Sequence, residues 1–423
     1  MKNNTDRILT SHAGNLPRPD HVNAVLAAGK GGTDEYTKLL PDAIKGVVNR
    51  QIECGIDIVN DGEYIKAGSY TGYILERVTG WESLPIDPNV PRKRSGVAER
   101  DRREFPGFYE SGLWLSGSGG PIRPGFFTPG APKPPTTERV CTGPISYTAQ
   151  AVIASDVATL KTALEGTNAD GFVAALGPLS LGAGARNAYY PSEEAYMMAV
   201  AEAVHDEYKA ITDGGFTLQI DEPEFATSWM FYPDWSVEEY RKYLEFCVEI
   251  INHALHDIPQ EQVRFHVCWG SGHRPHTNDI ELKYIADLIL KINAKQYGIE
   301  AGNVRHAHEW QVWKDVKLPE GKILMPGLIS HATDLVEHPD LIKERLLNYA
   351  NVVGKEYVQP GTDCGIGSRV GHEEVVWAKL AAMGSVREVL QAESDEQIKL
   401  IGSPNQVEAV LSNLQKRAAN YKD

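Results

Sequence analysis

The sequence predicts an α/β chain: a (β/α)8 TIM barrel carrying a long lid-like insertion. Three observations predict it. Short apolar runs of strand length alternate with helix-length segments over the whole chain, the pattern of a parallel sheet with helical crossovers. Polar residues gather where the strand-like runs end, at Glu63, Asp221, His266, Cys268, Glu300, His331 and Cys364, as they do on the active face of a barrel enzyme. No internal repeat divides the chain, so residues 1–423 read as one barrel domain, with an insertion at 81–138 and a C-terminal helix at 404–423.

The first apolar run, residues 7–10, breaks at Ser11-His12-Ala13-Gly14-Asn15-Leu16-Pro17, a loop of the kind that lines a barrel mouth. A helix is expected over 36–54, closed by Gly55, and then a strand ending in Asp61-Gly62-Glu63. Between about 81 and 138 periodicity vanishes; Pro, Gly and Arg dominate, and a loop this long in a compact domain reads as a lid or an oligomer arm, with a disordered insert as the alternative. Strand-like runs resume at 140–147 and 172–178. A helix over 191–214 starts at the N-cap candidate Ser192, and a strand follows at 216–223. A helix over 237–255 leads to the strand Arg264-Phe265-His266-Val267-Cys268. A helix over 280–295 and strands at 297–300, 323–329 and 357–359 complete the pattern, with a helix over 339–353 between the last two. Nine strand-like runs are one too many for the barrel, and 172–178 reads as the surplus or as an edge extension. The stripe Val407, Val410, Leu411 and Leu414 predicts a tail helix over 404–416 that docks on the domain or on a second copy.

Composition bounds the function. In 423 residues, 42% hydrophobic and 23% charged, there is ample material for a core, and a net charge of −15 argues against nucleic acid and anionic membrane as partners. No apolar run reaches the ~20 residues needed to cross a bilayer, and the start has no signal-peptide pattern. The five cysteines show no C-x-x-C spacing, which suits reduced thiols and a cytoplasmic location.

The chemistry centres on His266 and Cys268. Residues two apart on a strand project to one face, so an imidazole and a thiolate stand side by side, which is half of a zinc site. Glu300 and Cys364 end two further strand-like runs and extend the set to four ligands for Zn2+. Two thiolates and a carboxylate leave the metal a modest Lewis acid, better suited to holding a nucleophilic thiolate than to activating water. Arg305-His306-Ala307-His308-Glu309, His273 and His276 read as groups that orient the ligands rather than bind metal.

His266-x-Cys268, Ile299-Glu300 and Asp363-Cys364-Gly365 occur in the order seen in cobalamin-independent methionine synthases, and the chain resembles the catalytic domain of that family. The opening Thr10–Pro17 loop, Asp61-Gly62-Glu63 and Gln219-Ile220-Asp221-Glu222-Pro223 share the likeness, which runs over about residues 9–390 apart from most of the insertion. The chain is most similar to the short single-barrel branch, which includes epoxyalkane:coenzyme M transferases. The resemblance implies a zinc-dependent transferase moving a methyl or other alkyl group onto a zinc-bound thiolate. It implies that Glu63 and Asp221 hold the ammonium of an amino thiol such as homocysteine, with backbone at Gly14 and Asn15 receiving its carboxylate. The family carries serine where Asn15 stands. It also implies a general-acid histidine, for which His331 lies one position out of register. His12 is a further substrate-contact candidate, or a loop histidine satisfied by its neighbours. The expected partners are a small-molecule thiol and an alkyl donor, with a second copy of the chain as a partner for the insertion or tail helix. Epoxide opening by a coenzyme M-type thiolate is the alternative transfer, and a zinc lyase or hydrolase is the alternative from another class.

Overall fold

The computed structural model describes residues 8–67, 70–90, 98–111, 136–270, 274–367 and 370–400 (side chains to 386 in the last helix), with 405, 408–409, 411–412 and 415–420 of the tail. Ten strands are present among these residues. They are β1 (Ile58–Val59), β2 (Val78–Pro85), β3 (Thr137–Tyr147), β4 (Asp170–Leu176), β5 (Ala185–Asn187), β6 (Thr217–Asp221), β7 (Val263–Val267), β8 (Gln296–Ile299), β9 (Ile323–Ile329) and β10 (Gly361–Thr362).

Seven of the strands form one curled parallel sheet in the order β1-β4-β6-β7-β8-β9-β10. Every residue of β6, β7, β8 and β9 is buried, as expected for a parallel sheet covered on both faces. Register places Asp221 opposite His266, and Val267 opposite Ile299, so the chemically active strand ends lie at one end of the sheet. The segment before β1 meets both outer strands. The Thr10 carbonyl accepts from the Asp57 and Ile58 amides, both at 3.1 Å, while the Ser11 amide donates to Pro360 at 3.1 Å and the Ala13 amide to Thr362 Oγ1 at 3.0 Å.

The helices follow from local sequence. Glu193–Asp213 starts at Ser192, whose hydroxyl accepts from the Ala195 amide, and it buries Val200, Val204, Tyr208 and Ile211. Burying each such apolar side chain contributes roughly 1.5–3 kcal/mol. Val237–Ala254 starts with a reciprocal capping box between Ser236 and Glu239. Among the described residues no helix is long and apolar enough to cross a membrane.

Three expectations need correction. Residues 172–178 are not the surplus strand: 172–176 lie in β4, between β1 and β6 in the main sheet, and the surplus is 140–147. That run lies in β3, which pairs antiparallel with β2 and parallel with β5 in a separate three-stranded sheet. The expected helix over 280–295 shrinks to single turns at Leu282–Tyr284 and Ala286–Ile289; its apolar residues are buried without a continuous helix. The insertion is not devoid of structure, since β2 and the helices Glu99–Glu104 and Pro106–Glu110 lie in it. Strand β2 shows no alternation of buried and exposed residues, so period-two reading misses it. The rest of the insertion, at 91–97 and 112–135, lies outside the described residues, as do Val407, Val410 and Leu414 of the expected tail helix.

Candidate functional site

The alternation of β7 turns His266 and Cys268 to one side of the sheet end, and the loop after β10 brings Cys364 to them. Their ligand atoms all lie within 4.8 Å of one another. Both β7 residues are buried. Neither ring nitrogen of His266 meets a hydrogen-bonding oxygen or nitrogen; the neighbour is the Cys364 thiol. The Cys268 thiol is held well above its ordinary range, first by its hydrogen bond with Cys364, then by burial. Two sulfurs and an imidazole gathered this closely, with both imidazole nitrogens buried, fit a thiophilic divalent metal such as zinc.

Glu300, at the end of β8, stands next to this trio but belongs to a second group. It, His331 and Asp363 place their ligand atoms within 4.8 Å of one another. The Glu300 carboxylate accepts from the Trp269 amide at 2.7 Å and from the Asn303 side-chain amide. Burial, then the charge of Asp363, pushes its pKa well above the ordinary range. Asp363 accepts from the Ala301 and Gly302 amides, at 2.7 and 2.6 Å, and burial pushes it up to about 7. His331 is buried at the end of β9 beside these two carboxyls.

Glu63 and Asp221 come together as expected, but with a cation between them. The Lys66 ammonium lies 3.2 Å from Glu63 and 3.7 Å from Asp221, and its side chain is only 2% exposed. It also sits 5.4 Å from the centre of the Tyr73 ring. Burial raises both carboxyl pKa values against the opposing pull of Lys66. Lys66 is itself raised, because the two carboxylates outweigh the effect of burial. The turn that makes this arrangement is tight: Gly62 (φ 68°) and Glu63 (φ 58°) are both left-handed. The Asn60 and Asp61 side chains accept from the Gly62 and Glu63 amides at 2.8 and 3.0 Å and hold it. A left-handed non-glycine residue is strained, and here it aims the carboxylate at the first loop. A Cβ on Gly14 would lie 2.6 Å from Glu63 Oε1, so only glycine lets that loop come so close.

The remaining candidates in the first loop have partners of their own. His12 is buried, its Nε2 hydrogen-bonded to Gln51 Oε1 at 2.7 Å and its ring edge-on to Phe172. Burial pulls its pKa down to about 4, which keeps the ring neutral. Asn15 Oδ1 accepts from the Gly367 amide at 3.1 Å, tying the first loop to the loop that carries Cys364.

Sequence reasoning missed Lys66 and the polar layer beneath the site. Arg264, fully buried, donates to Gln296 at 2.8 Å and to Gln219 at 3.1 Å; Gln219 donates in turn to Asp221 at 2.8 Å and to the Ala13 carbonyl at 2.6 Å. This chain orients Asp221 from below. The period-two spacing of Gln219 and Asp221, with Arg264 and His266 on the adjacent strand, was the available signal. Glu222 points elsewhere: it accepts from the Leu179 and Ser180 amides at 2.8 and 3.0 Å, pinning the loop after β4, and burial raises it to about 8. Two histidines after β7 and β8 pair with acidic side chains. His306 joins Glu309 at 2.7 Å and Asp279 at 3.2 Å, and His276 joins Asp279 at 2.7 Å; His273 is outside the described residues.

No protein-family model matches the chain. A methionine synthase of Pyrococcus abyssi is 20% identical over 395 residues, covering 92% of this chain and 94% of that one. A 5-methyltetrahydropteroyltriglutamate–homocysteine methyltransferase of Thermotoga petrophila is 24% identical over 380 residues, covering 87% of this chain but 42% of the relative. The solved B12-independent methionine synthase of a Shewanella species, in complex with selenomethionine, matches with a TM-score of 0.64 at 22% identity, covering 91% of this chain and 98% of that one, so the two share a fold. Over about nine-tenths of its length this chain is thus similar in sequence to methionine synthases and shares the fold of B12-independent ones.

Proposed function

We propose that the chain is a zinc-dependent transferase that moves a methyl or other alkyl group onto the thiolate of a small homocysteine-like acceptor held at the metal. The observation that carries this reading is the convergence of His266, Cys268 and Cys364 from β7 and the loop after β10. Glu300, beside them, would complete the ligand set if its carboxylate gave up its hydrogen bonds with Trp269 and Asn303. Zinc bound there would lower the pKa of an incoming thiol, so that its sulfur is ionised and nucleophilic at neutral pH.

The chain's own residues supply the rest. Glu63 and Asp221 bind the acceptor's polar end, and the Gly14–Asn15 backbone receives its carboxylate. Arg264 and Gln219 hold Asp221 in place through their hydrogen bonds. His331, buried beside Glu300 and Asp363, is the general acid on the donor's leaving group. The acceptor reading is supported by the names of the relatives and by the selenomethionine bound to the Shewanella protein. The architecture is read as a closed (β/α)8 barrel, with residues 10–13 as the eighth staff between β10 and β1 and with 81–138 as its lid.

Metal analysis tests the ligand set. Purified protein should carry about one zinc per chain, and His266→Ala, Cys268→Ser and Cys364→Ser should each lose it while keeping the circular dichroism of the fold. Stoichiometric zinc in the Cys364→Ser protein would refute the assignment.

A further inference from the structure

We propose that Lys66 is a specificity-determining residue: an internal counter-cation that occupies the Glu63–Asp221 pair and must yield it to the ammonium of an amino thiol. The inference rests on the thiol-transferase reading and names how its acceptor gains entry. Two carboxylates buried next to one another are costly without a cation, and Lys66 provides one, at 3.2 and 3.7 Å. A substrate ammonium bonded to the same two carboxylates would meet the lysine ammonium nearly head-on. Both cannot stay.

A third carboxyl on the same turn offers the lysine another partner. Asp61, buried on the same turn, gives Oδ1 to the Glu63 amide, while its Oδ2 has no hydrogen-bond partner among the described residues. The charges of Asp61 and Lys66 act on one another, and the Arg18 charge also acts on Asp61. A lysine side chain has four rotatable bonds, and its ammonium can move from one carboxylate to another without leaving the buried pocket. The substrate ammonium takes Glu63 and Asp221, Lys66 turns to Asp61, and every buried charge keeps a partner. The exchange swaps one ammonium for another at the pair, so the wild-type protein gains little affinity from the acceptor's amine.

The test compares homocysteine with 4-mercaptobutanoate, which lacks only the amine, by calorimetry on the zinc-loaded protein, with the zinc absorption edge as a check on sulfur binding. Wild type should prefer homocysteine by no more than about tenfold, because a single charge-assisted contact, worth about that much, is being exchanged and not added. Lys66→Met, which removes the competitor, should raise the preference for homocysteine by a further tenfold or more, roughly one full charge-assisted hydrogen bond. Asp61→Asn, which leaves the pair intact but removes the landing place, should weaken homocysteine by about tenfold and leave 4-mercaptobutanoate within about threefold. The proposal is overturned if Lys66→Met lowers the preference or leaves it unchanged. Should that variant fail to fold, Asp61→Asn decides, and an unaltered homocysteine affinity there overturns the proposal. If neither thiol perturbs the zinc edge of wild type, the transferase reading itself fails, a result distinct from a preference that does not move.

Discussion

At the scale of single residues the site is a set of buried charges, each fixed by a specific neighbour. His306 shows how this links to stability. Its hydrogen bonds to Asp279 and Glu309 outweigh burial and raise its pKa from 6.5 to about 10. A base whose pKa is raised on folding stabilises the fold below its unfolded value, and that contribution is lost as pH climbs through the folded value. The difference in unfolding free energy between wild type and His306→Gln should therefore shrink between pH 6.5 and about 10. Denaturant melts across that range measure it, and a difference that stays flat contradicts the ion pairing. Which residues were readable in advance follows from the same physics. His266, Cys268 and Cys364 stand out as candidates because thiols and an imidazole near strand ends suit a metal, and the structure brings them together. Lys66 does not, because a lysine in a loop is ordinarily solvated. Only the packing of the turn after Glu63 reveals that this one is sealed between two carboxylates.

At the scale of elements, the insertion is joined to the loops that follow β6 and β7. Asp101, fully buried, accepts from the His276 amide at 3.1 Å, the Asn278 amide at 3.1 Å and Arg274 at 3.3 Å. Arg100 donates to the carbonyls of Trp229, Tyr232 and Trp235 at 2.7–2.8 Å. A carboxylate with that many donors is a latch, and Asp101→Ala should cost roughly 1–3 kcal/mol per unsatisfied buried group, concentrated in the insertion. Limited proteolysis should cut the variant faster within 98–111 with little change at the strands of the main sheet; equal cleavage rates would show that the latch holds nothing. Helices with strong local signals were legible, above all Val237–Ala254 with its Ser236–Glu239 box. The segment at 280–295 was not, because its buried Ile285, Leu288, Ile289 and Ile292 fit helical spacing while tertiary packing held only short turns. Strand β4 was mistaken for the extra strand because an apolar run carries no sign of which sheet it joins.

At the scale of the whole molecule, a curled sheet brings distant strand ends to one place, so residues separated by some three hundred positions in the chain form one site. If residues 10–13 close the barrel, the amides of Ser11, Asp57 and Ile58, bonded across the seam, should exchange with solvent as slowly as those of β6. Exchange as fast as in surface loops would mean an open sheet. The central claim is that the end of this sheet holds a metal to which an acceptor thiol adds its sulfur. X-ray absorption of the zinc-loaded protein, before and after homocysteine, tests it most directly. The account predicts that the sulfur shell grows from Cys268 and Cys364 to those two plus the thiol, as the Glu300 oxygen leaves. A shell unchanged by saturating homocysteine would contradict it.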